Sequence, residues 1–543
     1  MDIYNIPYAF YSHNGGHAMP GEFKINALEF LDSLLMPPAP LFTSCLPEGI
    51  TFTTQAEIDN FQANYPGCSE IEGNVIIMGD DITNLNGLLV LTSIEGSLYL
   101  GHSDPGVPSL TSLSGLANLQ VIGESLVIGN KNVGGPVNNS LLSLAGLESL
   151  TSVGNKLDIG GMHSLSNLSG LNNLTTIGGL FRVAFNNSLV NLEGLDNITS
   201  IWSIAIERNF SLINLAGLEN ITSTPGGISI YANSITSLSG LENLYSIEGG
   251  LSIGWCAGLD DLSGLSNLSD IGLGFEVYIT NISNLSGLSN LVSIGGNFEI
   301  YQNQNLINFE GIDGLVSIGG DLSIGTAGLG GLVGNPSLVN CVGFQNLNSV
   351  GGSLIVYGND SLSTLMGLEN ITSIAGDLRI AGNSSLTSLS GLDNIASSTI
   401  TNLYIWDNDT LSTCQVQSIC EYLIAPNGTI TIEYNAPGCN SSEEVDSLCN
   451  ITNVSDYSSD LNFSISPNPI NENATVTLGS MFIGSINICL YNSTGICLKS
   501  WQFNADQSRQ TEFQINLNEV PAGMYFLHVN AGDDSITKKI IKT

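Results

Sequence analysis

The sequence predicts an all-β-dominated chain: a parallel β-solenoid with capping helices, followed by a small antiparallel β-sandwich. Three observations lead there. A Gly-Leu step recurs at Gly87, Gly115, Gly146, Gly170, Gly194, Gly217, Gly240, Gly264, Gly287, Gly311, Gly343, Gly367 and Gly391, mostly 23 or 24 residues apart, with Ile or Phe replacing Leu after Gly311 and Gly343. Hydrophobic residues make up 42 % of the chain and charged residues only 11 %, the rest being largely Asn, Ser, Thr and Gly, which form turns rather than helices. Past residue 462 the repeat stops and short alternating strands with turn signals take over.

Each unit reads L-x-x-L-x-G-L-x-N-L-x-S-I-x-G-x-L-x-I, clearest in "SLSTLMGLENITSIAGDLRI" at 361–380. Alternation means strand, and the clearest is L-x-I: Leu251/Ile253, Phe298/Ile300, Leu354/Val356, Leu403/Ile405. These residues face inward and stack on the next rung, about 4.8 Å away. Three residues on, an Asn recurs at 186, 209, 233, 303, 359, 383 and 408, able to bond the backbone of its own and the neighbouring turn. Cys256 holds that same position and reads as structural, and Cys341 aligns with Leu365 and reads as a small buried hydrophobe. The period and the Asn-or-Cys position resemble the receptor L-domain type of leucine-rich repeat, common in secreted Bacteroidetes proteins, over roughly residues 45–450. That resemblance speaks for fold, not function.

Solenoid ends need covering. The expected front cap is 45–80, where Thr54 caps a helix with Ile58 and Phe61 inward and Cys45 and Cys68 form a disulfide. About 13 repeats then occupy 81–412. A Cys-rich cap over 413–450 holds a helix at about 413–424, the strand "GTITIEY", and Cys414, Cys420, Cys439 and Cys449, which read as disulfides in any of three pairings. After a polar linker at 451–462, the stretch 463–543 carries Pro467-Asn468-Pro469, Tyr491 with Gly495, Gly523-Met524-Tyr525, and Lys538, Lys539 and Lys542. These resemble the type IX (Por) secretion sorting domain, which implies the type IX machinery as partner and delivery to the outer-membrane surface or outside. Cys489 and Cys497 lie on consecutive strands; a turn at 492–495 sets Leu490 opposite Cys497 and turns Cys489 to the other face, so they are not paired.

Residues 1–36 stand outside the repeat. "GGHAMPG" ahead of an amphipathic segment is similar to the tail of α/β-hydrolase esterases, which implies a triad histidine at His17. No G-x-S-x-G elbow accompanies it, so the segment reads either as a remnant of a longer esterase or as an incidental leader with His17 a loop histidine, and under both the chain reads as no enzyme.

The net charge of −38 excludes a nucleic-acid binder, which needs a basic footprint. No transmembrane run, cofactor or metal site is expected, since no long apolar stretch and no calcium loop occurs. Candidate ligand contacts are Tyr231, Tyr278, Tyr301, Tyr357 and Trp406, one position past the L-x-I strand, where they stack on sugar rings or merely on each other. Gly254 and Gly325 interrupt that column, and Tyr99 and Tyr404 take the outward middle position. Glu276 and Glu299 sit on adjacent rungs; with no evident cleft they read as a solvated face rather than a glycosidase pair. The expected function is a secreted or surface binding and adhesion scaffold, with an extracellular glycan or protein as ligand. The alternatives are an accessory region of an esterase and a structural spacer.

Overall fold

A computed structural model describes residues 43–102, 106–129, 140–328, 331–452, 463–478, 484–492, 497–505, 511–531 and 534–543. The esterase-like segment 1–36 and His17 lie outside these residues. The chain divides into two compact units, 1–442 and 443–543.

The first unit is a parallel β-solenoid of about 16 turns. Its long sheet stacks the L-x-I strands in register, from Ile50–Phe52 through Leu98–Leu100, Leu251–Cys256 and Leu354–Tyr357 to Ile430–Glu433. A second parallel ladder is made by the two-residue S-I segments, such as Ser246–Ile247 and Ser373–Ile374. Turns built on the Gly-Leu step complete each coil. In one coil Leu354, Val356, Leu362, Leu365, Leu368, Ile371 and Ile374 are all buried, each worth about 1.5–3 kcal/mol of gross transfer free energy.

Thirteen Gly-Leu turns link the rungs, some of them a single 3-10 turn, and the first and last links carry α-helices instead. Helices α1 (Gln55–Asp59) and α2 (Phe61–Asn64) precede the Val75–Ile77 rung, and α3 (Gln417–Ile424) precedes the final rung. Thr54 caps α1 in a reciprocal capping box with Glu57, and Ile58 and Phe61 are fully buried. The caps are thus coils of the same ladder with a helix where the Gly-Leu turn would be. Disulfides tie both ends: Cys45–Cys68 at the front and Cys414–Cys439 at the back, with Cys420 and Cys449 also disulfide-bonded.

Glycine at the turn has two causes, seen at Gly367. Its φ is +114°, and a Cβ there would come within 2.0 Å of the Cys341 carbonyl oxygen on the preceding coil. The Asn three residues later, as in Asn370 and Asn394, donates its Nδ2 to a backbone carbonyl of the preceding coil at 2.5 and 2.6 Å.

The inner Asn column is a buried hydrogen-bond ladder. Asn335 N–H donates to Asn359 Oδ1 (2.9 Å), Asn359 N–H to Asn383 Oδ1 (3.1 Å), and Asn383 N–H to Asn408 Oδ1 (3.0 Å). Each Nδ2 reaches a strand carbonyl of the preceding rung, as Asn383 Nδ2 does to Val356 O at 2.9 Å. Sequence spacing missed Asn335 and Asn435. At the Asn position of other rungs, Cys256 and Thr280 stand in, both buried, and burial pushes the Cys256 thiol up to about 11. Cys341 is fully buried too.

In the second unit, after α4 (Ser442–Thr452), two antiparallel sheets share a core. Phe463–Ser466, Asn473–Leu478 and Glu512–Asn516 form one; Gly484–Tyr491, Cys497–Ala505, Gly523–Ala531 and Asp534–Lys542 form the other. Phe463, Val476, Phe513, Ile488, Leu490, Leu527 and Ile540 are buried between them. The expected face of Cys489 is corrected here. A register shift pairs Tyr491 with Cys497 and Leu490 with Lys499, leaving Leu498 as an extra residue. Cys489 and Cys497 therefore share a face, within hydrogen-bond reach of each other, and both are free thiols.

Candidate binding face of the solenoid

The outward side chains of the long sheet fall into columns because register is exact from rung to rung. The mid-strand column runs Asp158, Arg182, Ala205, Ser229, Ser252, Glu276, Glu299, Ser323. Two residues on, the next runs Glu207, Tyr231, Gly254, Tyr278, Tyr301. The residue after that takes a left-handed conformation in most rungs, as Arg208, Trp255 and Gln302 do, and turns the chain into the Asn ladder.

An open groove of about 670 Å³ lies over this face. Its floor is bare because two columns lose their side chains together. Ala205, Ser229 and Ser252 are small at mid-strand, and Gly227, Gly250 and Gly274 precede the strands. Leu180 and Leu273 also line it, and Asn297, Glu276 and Glu299 stand at the high-numbered end. The expectation that Glu276 and Glu299 sit on a face without a cleft is corrected by this groove.

Glu276 is held from two sides. Ser252 Oγ donates to Oε2 at 2.7 Å and Tyr301 Oη to Oε1 at 2.8 Å. Asn297 Nδ2 donates to Glu299 Oε1 at 3.1 Å. Tyr278 and Tyr301 stack with centroids 5.0 Å apart and planes 13° apart. Gly254 is what lets the Tyr278 ring lie over the neighbouring rung, since a Cβ there would meet that ring at 2.2 Å. Burial, then the Glu276 charge, pushes the Tyr278 phenol up to about 12. Burial and the bond to Glu276 raise Tyr301 further.

The structure brings together Tyr231, Tyr278 and Tyr301, with Trp255 edge-on to Tyr231 at 6.5 Å and 52 % exposed. Trp255 was missed because it sits one position past the aromatic column, in the left-handed turn. Tyr357 and Trp406 lie farther along, 5.6 Å apart. Tyr357 is only 5 % exposed, because a hairpin inserted at Thr326–Gly328 and Gly331–Val333 packs on its strand. It is no surface contact.

All four cations of the described solenoid project from this face. Lys156 and Arg182 pair with Asp158 at 2.5 and 3.2 Å, and Arg182 also with Glu207 at 3.1 Å. Arg379 pairs with Asp377 at 2.5 Å, and Arg208 lies over the rings of Phe185 and Tyr231. Among the described residues no cluster of metal-ligating side chains occurs, and no helix is long and apolar enough to cross a membrane.

In the second unit the expected signal residues lock the chain terminus. Asn468 Oδ1 accepts from Ile541 N–H at 2.9 Å, between Pro467 and Pro469. Lys538 Nζ donates to the Phe463 carbonyl and lies over its ring. Tyr525 Oη donates to Pro521 O at 2.9 Å, and Gly523 precedes it where a Cβ would touch that ring. Lys539 pairs with Phe526 across the ladder.

Residues 464–543 match the family model of a secretion system C-terminal sorting domain. No curated protein matches the chain. The matched family marks the chain for export through the type IX secretion machinery, to the cell surface or beyond.

Proposed function

We propose that this protein is a secreted or surface-displayed binding and adhesion scaffold whose ligand lies on the outward face of the long sheet. The observation that carries the reading is the coincidence on one face of the groove, the stacked Tyr278–Tyr301 pair and the exposed Trp255. Exposed aromatics beside a groove with convergent polar groups are the usual makings of a ligand site. The repeats are of the receptor L-domain leucine-rich type, which the 23–24-residue period and the Asn-or-Cys position support. The domain plan is a front cap at 45–80, a solenoid at 81–412, a Cys-rich cap at 413–450, a linker at 451–462 and the sorting domain at 463–543. Export by the last of these brings the solenoid to where extracellular ligands are.

Two measurements test the reading. Removing 464–543 should keep the protein inside the cell, read by fractionation. Tyr278→Ala with Tyr301→Ala, in the full chain, should abolish attachment of displaying cells to their surface substratum while leaving display unchanged. Undiminished attachment by a correctly folded double variant would refute the reading and favour a structural spacer.

A further inference from the structure

We infer that the groove takes a neutral, hydroxyl-rich polysaccharide laid across successive rungs. The inference rests on the reading of this face as a binding surface and adds the class of ligand. Length comes first. The groove runs from the Leu180 rung to the Glu299 rung, five steps of the ladder. At about 4.8 Å a step that is roughly 24 Å, the reach of a polymer rather than a single small molecule.

The floor rules on the kind of polymer. It is parallel sheet, so its backbone N–H and C=O groups are already used between rungs. An extended peptide gains its affinity at a sheet edge by adding main-chain hydrogen bonds, and none are on offer here. Recognition falls to flat shape and to side chains. Gly227, Gly250 and Gly274 beside Ser229 and Ser252 leave a smooth surface that a ring can lie on.

The polar groups are biased towards acceptors. Glu276 and Glu299 take hydrogen bonds from Ser252, Tyr301 and Asn297, which fix their direction while each carboxylate keeps lone pairs to spare. Hydroxyl groups are the donors that match. A uronic or sulfated polymer would bring its charge against these carboxylates and against a chain of net charge −38. At the other end Lys156 and Arg182 are matched by Asp158 and Glu207, and Arg208 lies over the rings of Phe185 and Tyr231, so that end adds little net charge to recognise an ionic polymer. On the same face of the sheet, two residues on from Glu276 and Glu299, the Tyr278–Tyr301 stack offers apolar ring surface for the C–H faces of sugar rings.

The test uses the full chain in affinity gel electrophoresis and calorimetry. The neutral probes are mixed-linkage β-glucan, arabinoxylan and galactomannan; the charged probes are polygalacturonate, chondroitin sulfate and a Lys-rich peptide. Ser252→Tyr fills the floor from an outward position, and Tyr245→Ala, exposed beside the second ladder at Ser246–Ile247, is the distant control. At least one neutral polymer should bind, at least tenfold more weakly to Ser252→Tyr and unchanged to Tyr245→Ala, with thermal unfolding of both variants as in the parent. Glu276→Gln should weaken binding several-fold. Binding only of a charged probe, lost in Ser252→Tyr, overturns the neutral ligand but leaves the face as a binding surface. Neutral binding unaffected by Ser252→Tyr overturns the groove. Binding of no probe overturns the inference, while the Tyr278/Tyr301 attachment assay still judges the broader reading.

Discussion

Asn359→Ala tests the idea that the buried Asn ladder holds the coils together. Asn359 is fully buried. Its Oδ1 accepts from the Asn335 backbone N–H at 2.9 Å, and its Nδ2 donates to the carbonyls of Ile324 and Tyr357, both at 2.9 Å. Truncation leaves the Asn335 N–H without its acceptor inside the protein, at about 1–3 kcal/mol, and removes two further bonds worth about 1 kcal/mol each. The expected loss is therefore roughly 3–5 kcal/mol. Asn394→Ala removes only the exposed bond to Glu369 O at 2.6 Å and should cost about 0.5–1 kcal/mol. Urea unfolding followed by tryptophan fluorescence reads both, the comparison of midpoints being safe at unchanged slope. The converse variant is Cys256→Asn. There a weakly accepting thiol takes the Asn233 N–H, so an amide oxygen should add about 1 kcal/mol. Equal losses for Asn359→Ala and Asn394→Ala would show that stacking of the apolar columns alone sets coil cohesion.

Other outcomes follow from the same geometry. Gly367→Ala should destabilise by roughly 3 kcal/mol or more, because strain at φ +114° adds to a backbone clash, whereas Gly331→Ala, at φ +125° with no atom within 4 Å, should cost about 1 kcal/mol; thermal melts separate them. Replacing Cys45 and Cys68 by Ser frees a loop with a sequence separation of 23 and should cost about 3 kcal/mol, read from the shift in urea midpoint. Tyr278 and Tyr301 should stay un-ionised in an ultraviolet titration while exposed phenols lose their protons near pH 10. Since their folded-state values lie above the unfolded one, their contribution to stability is complete below about pH 10 and declines as pH rises towards about 12; Tyr278→Phe with Tyr301→Phe should flatten that alkaline decline in a pH series of urea midpoints.

Much of the fold could be read because its signals are local and repeated. L-x-I alternation, the Gly-Leu step and the Thr54 capping box each express one coil's own chemistry. What escaped depends on relations between coils. Asn335 was missed because the inserted strands Thr326–Gly328 and Gly331–Val333 shift the count from strand to ladder, and Asn435 because it follows a helix rather than a Gly-Leu turn. The same hairpin buries Tyr357, which no spacing rule could show. The groove needs smallness in two columns at neighbouring rungs, and no single repeat displays that. Gly254 looked like a gap in the aromatic column and is instead the seat of the Tyr278 ring. The face of Cys489 turned on one extra residue, Leu498, in the strand opposite.

Helices in place of the Gly-Leu turn at both ends have a consequence for how such a protein changes size. Neither terminal coil depends on how many others lie between them, since each meets its neighbour through the same inward columns and the same ladder. A duplication or loss of one whole internal coil would therefore leave both ends sealed and every remaining register intact. Unequal recombination within the gene can lengthen or shorten the array in whole coils, carrying the small-residue columns of the groove to new neighbours without having to invent a new terminus.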